Sequence, residues 1–185
     1  MNVLKKAEVK CLTEADLEMV LNWRNQDTIR AMMYTSRLIS SDEHLNWFKQ
    51  LQNNPSSRSL LFYFEDQPYG VVNINRINPT NLTCDWGFYM GEEAAPKGLG
   101  TVLGYKALEY IFKKLQMRKV CAEVLDYNEP SIHFHRKLGF IEEGCLREQV
   151  LKGGKYNDVI LMGMFARNWS THSVVLQEQL KGRFL

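Results

Sequence analysis

The order of elements readable in this 185-residue chain predicts an α+β domain around a mostly antiparallel sheet. Three observations point there. Apolar and polar residues alternate in short runs bounded by turn residues, and most of these runs come in adjacent pairs, as hairpins require. One long segment of helical period divides the strands. A single strand–helix–strand crossover suffices to join the two groups. In chain order the reading is strand, two helices, three strands, helix, strand, helix, two strands.

After a short first strand, Thr13-Glu-Ala-Asp16 has the form of a capping box, and Leu17, Met19, Val20, Leu21 and Trp23 supply a broad apolar face, so a helix is expected over about 14–25. Ser40-Ser-Asp-Glu43 opens a second helix with Leu45, Trp47, Phe48 and Leu51 as its buried stripe, stopped by Asn53-Asn-Pro55. Ser59–Glu65 and Tyr69–Arg76 read as a hairpin about Asp66-Gln-Pro68, with Thr83–Met90 as the adjoining strand. Gly98–Leu115 is the long helix, carrying Leu99, Val102, Leu103, Ala107, Leu108, Ile111, Phe112 and Leu115 at helical spacing. A strand over Val120–Leu125, a short helix from about Pro130 to Leu138 ending at Gly139, and strands Phe140–Leu151 and Tyr156–Phe165 around Lys152-Gly-Gly154 complete the sheet. Residues 1–168 are expected to form one domain, with 169–185 a tail or a packing helix.

Composition narrows the function classes. Hydrophobic residues make up 45% and charged residues 24%, close to the globular average. The 23 basic and 21 acidic residues are interspersed, without the basic run that grips nucleic acid, so nucleic acid is not an expected partner. Met1–Val9 lacks the apolar core of a signal peptide, and no apolar stretch approaches the about 18 residues of a membrane span. Cys11, Cys84, Cys121 and Cys145 are widely spaced, which predicts no metal site and free, buried thiols in a reducing cytoplasm.

The chemistry concentrates in two segments. Glu92–Thr101, between a strand and the long helix, contains Gly98-Leu99-Gly100-Thr101. A helix start leaves backbone N–H groups unpaired, and glycines let them approach a phosphate closely. An ordinary strand-to-helix turn accounts for a lone Gly-x-Gly equally well. Downstream, Asn128-x-x-Ser131-x-x-x-His135-x-Lys137-x-Gly139-Phe140 follows a strand.

Together the two segments resemble the GNAT superfamily of acetyltransferases, in which a (Q/R)xxGxG loop grips the pyrophosphate of CoA and the second signature reads NxxSxxxYxKxGF. The resemblance spans about 9–165 and implies a GNAT fold: a mixed, mostly antiparallel sheet of about seven strands with a splayed central pair, flanked by about four helices. It implies acetyl-CoA as acetyl donor, held by Gly98, Leu99, Gly100 and Thr101 at the phosphates, by Asn128 and Ser131 along the arm, and by a backbone N–H near Met90 that stabilises the oxyanion. Ala95 stands where Gln or Arg is usual, and Lys97 is the nearby substitute. His135 stands at the position of the tyrosine that protonates the leaving thiolate; an imidazole can do so when it carries a proton, and a histidine that merely packs is the alternative. Glu123 is the expected base for the attacking amine, or else a solvated strand carboxylate.

A third resemblance concerns the acceptor. Asn22-Trp-Arg-Asn25, Met33-Tyr34 and Ser40-Ser-Asp-Glu-His-Leu-Asn-Trp47-Phe48 are similar to the GNAT subgroup that acetylates UDP-4-amino sugars in pseudaminic acid biosynthesis, for flagellin glycosylation, and more loosely to amino-terminal acetyltransferases of ribosomal proteins. It implies Arg24 and His44 at nucleotide phosphates and Met33, Tyr34 and Trp47 around the uracil or sugar. Trp23, Met33 and Trp47 are read equally well as helix core, and Arg24 as a surface ion-pair partner. The expected reaction is direct attack of the amine on the thioester. The alternatives are acetylation of a protein amino terminus and a silent acetyl-CoA-binding module, and a homodimer is an open expectation.

Overall fold

The computed structural model describes residues 3–181. Seven strands form one sheet in the order β1-β2-β3-β4-β5-β7-β6: β1 (Ala7–Cys11), β2 (Arg58–Phe64), β3 (Gln67–Asn78), β4 (Thr83–Met90), β5 (Lys119–Leu125), β6 (Ile141–Lys152) and β7 (Lys155–Phe165). Every pairing is antiparallel except β4 with β5. Strand alternation splits the core into two layers. Leu60, Phe62, Val72 and Ile74 face one side and Leu61, Val71 and Tyr89 the other.

The second side is covered by α1 (Leu17–Arg24), α2 (Asp27–Ala31) and α3 (Ser41–Gln52), through Val20, Trp23, Ile29 and Phe48. Ser40 caps α3 as its sequence predicts: its hydroxyl accepts from the Glu43 N–H while the Glu43 carboxylate accepts from the Ser40 N–H. The first side is covered by α4 (Leu99–Glu109), α5 (Glu129–Lys137) and α6 (Ala166–Lys181).

The structure adds two features that the sequence left unread and, where a tail or a packing helix was expected, forms a helix. The five-residue α2 is too short for a periodic signal. The last turn of the long helix, Tyr110–Lys114, is a π segment closed by the Leu115 N–H donating to the Tyr110 carbonyl at 3.0 Å, although its apolar spacing continues that of α4. Residues 166–181 form a helix that shares the core: Trp169, Leu176 and Leu180 are all at most 2% exposed, and each such burial contributes about 1.5–3 kcal/mol. The thiols also differ from expectation. Cys84 alone is buried, Cys121 and Cys145 are half-buried, and Cys11, the last residue of an edge strand, is exposed. Among the described residues no helix is long and apolar enough to cross a membrane.

Candidate active site

The site is made by a failure of pairing. β4 and β5 are coupled only through Thr83 with Lys119, Cys84 with Val120 and Asp85 with Cys121. Beyond that point β4 stays on β3 as far as Gly70 with Met90, and β5 stays on β7 as far as Leu125 with Val159. The two strands therefore part in the middle of the sheet and open a cleft of about 830 Å³, lined by Trp86, Phe88, Met90, Gly100, Glu123, Asn128, Ser131 and His135 among others. The Gly91 N–H donates to the Tyr69 carbonyl of β3 at 2.8 Å. Because successive N–H groups alternate in direction, that of Met90 points away from β3, into the gap.

At one end of the cleft stands the start of α4. Gly98 is its N-cap with φ of 91°, a left-handed conformation that disfavours a side chain. Leu99 and Thr101 are buried, and their N–H groups donate to the Pro96 and Gly98 carbonyls, both at 3.0 Å. Lys97 is exposed, and the cation that reaches this turn is Lys137 of α5, donating to the Thr101 hydroxyl at 2.7 Å. Asn128 uses its side chain to cap α5, accepting from the Ser131 N–H at 3.2 Å.

His135 is enclosed by Trp86, Phe88, Phe134 and Phe140, all with ring centroids 5.0–6.0 Å away. Its Nδ1 lies 2.7 Å from the Ser131 carbonyl, which can only accept, so the proton of the neutral ring is on Nδ1. Burial pushes its pKa down to about 4, against a smaller upward pull from that carbonyl. At neutral pH Nε2 is thus a bare, buried acceptor with no partner among the described residues. A resting imidazole of this kind has no proton on Nε2 to give to a leaving thiolate.

At the opposite side of the cleft Glu123 is fully engaged. Tyr34 Oη donates to Oε2 at 2.7 Å and Arg76 Nη2 to Oε1 at 2.6 Å, while Arg76 also pairs with Asp85. Burial raises the Glu123 pKa, but the hydrogen bonds from Arg76 and Tyr34 outweigh it and leave the carboxyl below its ordinary value. For Asp85 burial wins, with Glu123 adding to it, and the pKa is raised despite Arg76. Arg76 was not marked by the sequence reading, since its partners lie 9 and 47 residues away. A fainter signal was present: Asn73 and Asn75 alternate with the fully buried Val72 and Ile74, giving a central strand a polar face toward the cleft.

A second chamber, about 550 Å³, adjoins the first through the shared residues Arg24, Asn73, Asn75 and Tyr89. Here the structure brings together Arg24, His44 and Trp47, while Met33 and Tyr34 line the cleft itself. His44 is stacked on Trp47 with ring centroids 4.9 Å apart. Arg24 donates through Nη2 to the Thr35 carbonyl at 3.1 Å, yet its Nη1 and His44 Nε2 are buried without partners among the described residues. Burial first, and then the charge of Arg24, lowers the His44 pKa, so His44 offers a neutral ring. The carboxylate here, Glu43, is taken bidentately by Arg37 at 2.6 and 2.9 Å, which together with the Ser40 N–H pushes its pKa down to about 2.

A parted strand pair, a left-handed glycine at a helix start and an inward N–H beside the gap together fit a thioester with a phosphate-bearing arm. Residues 9–141 match the Acetyltransferase (GNAT) domain family, and the chain belongs to it. It is an acetyl-CoA-dependent N-acetyltransferase. Among its relatives, the spermidine N(1)-acetyltransferase of Vibrio cholerae is 26% identical over 82% of this chain and 88% of its own length. Acetyltransferase PseH of Campylobacter jejuni is 27% identical over 70% of this chain and 79% of its own. The fold superposes on the crystal structure of the V. cholerae spermidine N-acetyltransferase with CoA and spermine with a TM-score of 0.84, at 23% identity, covering 90% of this chain and 99% of that one.

Proposed function

We propose that the chain acetylates the primary amine of an anionic acceptor, a UDP-linked 4-amino-4,6-dideoxy sugar of the kind used in pseudaminic acid synthesis and flagellin glycosylation, in the cytoplasm. One observation carries the reading: the acceptor side has a buried guanidinium nitrogen and a buried imidazole nitrogen with no partners among the described residues, whereas Glu43, Asp85 and Glu123 are all already held by arginines. An unmatched buried cation is costly until an anion meets it. Arg24 suits a diphosphate, Trp47 and His44 offer flat faces to a base, and Asn73 and Asn75 offer amides to sugar hydroxyls. The C. jejuni relative named PseH fits this assignment.

In this reading the amine sits by Tyr34 and Glu123. A carboxylate held below its ordinary value is a poor base toward a free ammonium but a good holder of a cationic nitrogen. The ammonium first gives up one proton to solvent; attack of the resulting neutral amine on the thioester carbon makes the nitrogen cationic again and far more acidic, and Glu123 then accepts its second proton. The Met90 N–H steadies the oxyanion, the C–S bond breaks, and the thiolate finally takes up a proton from solvent. His135, with Nε2 bare, orients the arm as an acceptor.

A polyamine is the rival acceptor, favoured by relatives named spermidine acetyltransferases at comparable identity. It would bring several positive charges to a chamber whose carboxylates are spoken for. The test is CoA release from acetyl-CoA with the UDP-4-amino sugar, spermidine, and Arg-, Ser- or Ala-starting peptides. Turnover of the sugar nucleotide that Arg24→Gln weakens about 100-fold in kcat/KM supports the proposal. Faster turnover of spermidine or peptides overturns it.

A further inference from the structure

The segment that carries Met33 and Tyr34 over the cleft belongs to no long element. Its main chain is held from the far end of the sequence. The β6–β7 hairpin closes on Gly153 and Gly154, whose φ values of 60° and 78° suit a two-residue turn that glycine favours. This sets Lys152, the last residue of β6, at the tip. Its Nζ donates to the carbonyls of Arg30 at 3.2 Å, Ala31 at 2.6 Å and Met33. An ammonium has three N–H donors, and all three are used on one short stretch of backbone. Two of these carbonyls belong to the last two residues of α2, and that of Arg30 also accepts from the Met33 N–H at 3.2 Å.

A second contact from outside the segment supports the first. Tyr127, just past β5, donates its hydroxyl to the same Ala31 carbonyl at 2.9 Å, and its ring lies 5.9 Å from the Lys152 ammonium. The hairpin reaches this point because β6 is bulged: Leu146 pairs with Val159 but Val150 with Asn157, so β6 spends four steps on two of β7. Asp158 pins the bulge, accepting from the Glu148 N–H at 2.8 Å and from Arg147 at 2.6 Å.

We propose that Lys152 is a positioning residue for acetyl transfer: by gathering the carbonyls of residues 30, 31 and 33 it holds the segment in which Tyr34 meets Glu123, and so sets the place of the acceptor amine. The proposal rests on the reading of Tyr34 and Glu123 as the acceptor end of the cleft. Lys152 touches neither Glu123 nor the glycine turn of α4, so its effect falls on the acceptor and not on acetyl-CoA.

Wild type, Lys152→Met, Lys152→Arg and Tyr127→Phe, all as full chains, are compared by amide hydrogen exchange over residues 31–35 and by steady-state kinetics with whichever amine of the panel above is turned over. Lys152→Met is expected to speed exchange in that stretch about tenfold and to raise the acceptor KM about tenfold, with the acetyl-CoA KM and Tm unchanged. Lys152→Arg restores part of both, and Tyr127→Phe gives a smaller shift in the same direction. Unchanged exchange, or KM values for donor and acceptor that rise together, overturns the proposal. If no amine in the panel is turned over, the acceptor assignment fails while exchange still decides whether Lys152 holds the segment. Should Lys152→Met not fold, Lys152→Arg and Tyr127→Phe supply the same comparison.

Discussion

The two ends of the cleft are held by different physics. The end proposed to hold the donor, around Gly98, Asn128 and His135, is built largely from devices close in sequence: a left-handed glycine, a cap three residues long and a histidine bonded to the carbonyl four residues before it, with Trp86 and Phe88 of β4 brought onto its ring from afar. The end proposed to hold the acceptor is held, around Tyr34 and Glu123, by polar bonds that cross from 47 to 122 residues of chain. Burial is the largest influence at both ends, and at Glu123 the hydrogen bonds from Arg76 and Tyr34 together outweigh it. On the proposed assignment the coenzyme is gripped mostly by local geometry, while the acceptor is met by side chains brought from distant parts of the chain.

The sharpest way to break this contrast is at Glu123. Glu123→Gln keeps the shape but removes the charge that Arg76 and Tyr34 hold, and kcat/KM for the amine is expected to fall about 10²–10³-fold with acetyl-CoA affinity unchanged by calorimetry. A parallel loss of acetyl-CoA affinity would mean that the two ends are one unit.

The next effect belongs to the donor end and to stability. His135 is held neutral in the fold, near 4 against an ordinary 6.5, whereas the unfolded chain gains the proton at the higher value. Stability from this group, about 3 kcal/mol, is therefore complete above about pH 6.5 and lost as pH falls toward 4. Urea midpoints across that range should drop in the wild type and drop much less in His135→Phe. An equal slope in both proteins would locate the titration elsewhere, with His44 the first alternative.

The smallest effect sharpens the boundary between the ends. Gly91 follows β4, and a Cβ there would lie 2.0 Å from the Trp23 ring of α1. Gly91→Ala should displace α1 and its Arg24 at a cost of about 1–3 kcal/mol in stability, and raise the acceptor KM while sparing that for acetyl-CoA. The measurement is a thermal melt alongside initial rates.

The same contrast explains what the sequence disclosed. Ser40 with Glu43, Gly98 and Asn128 are local devices, so their elements and the donor turn could be read from spacing. Glu123 is singled out by the resemblance, which expects a carboxylate on the strand beside the splay, yet its partners Tyr34 and Arg76 were hidden. Nothing near Arg76 announces Asp85 and Glu123, and nothing near Lys152 announces α2. The unread Tyr110–Lys114 widening has a similar origin, since a helix can change its hydrogen-bond ring without changing which residues are apolar. His135 was visible by position, but its protonation depends on four rings gathered from β4, α5 and the turn after α5.

The reach of Lys152 also sets an order of events. As the chain is translated, the glycine turn, α4 and α5 have all emerged by residue 140, and their contacts join near neighbours. Residues 30–33 emerge far earlier but must wait some 120 residues for the lysine that gathers their carbonyls. On the proposed role of Lys152, the place of the acceptor is set by residues some 120 positions apart, and it forms only after the β6–β7 hairpin has been made.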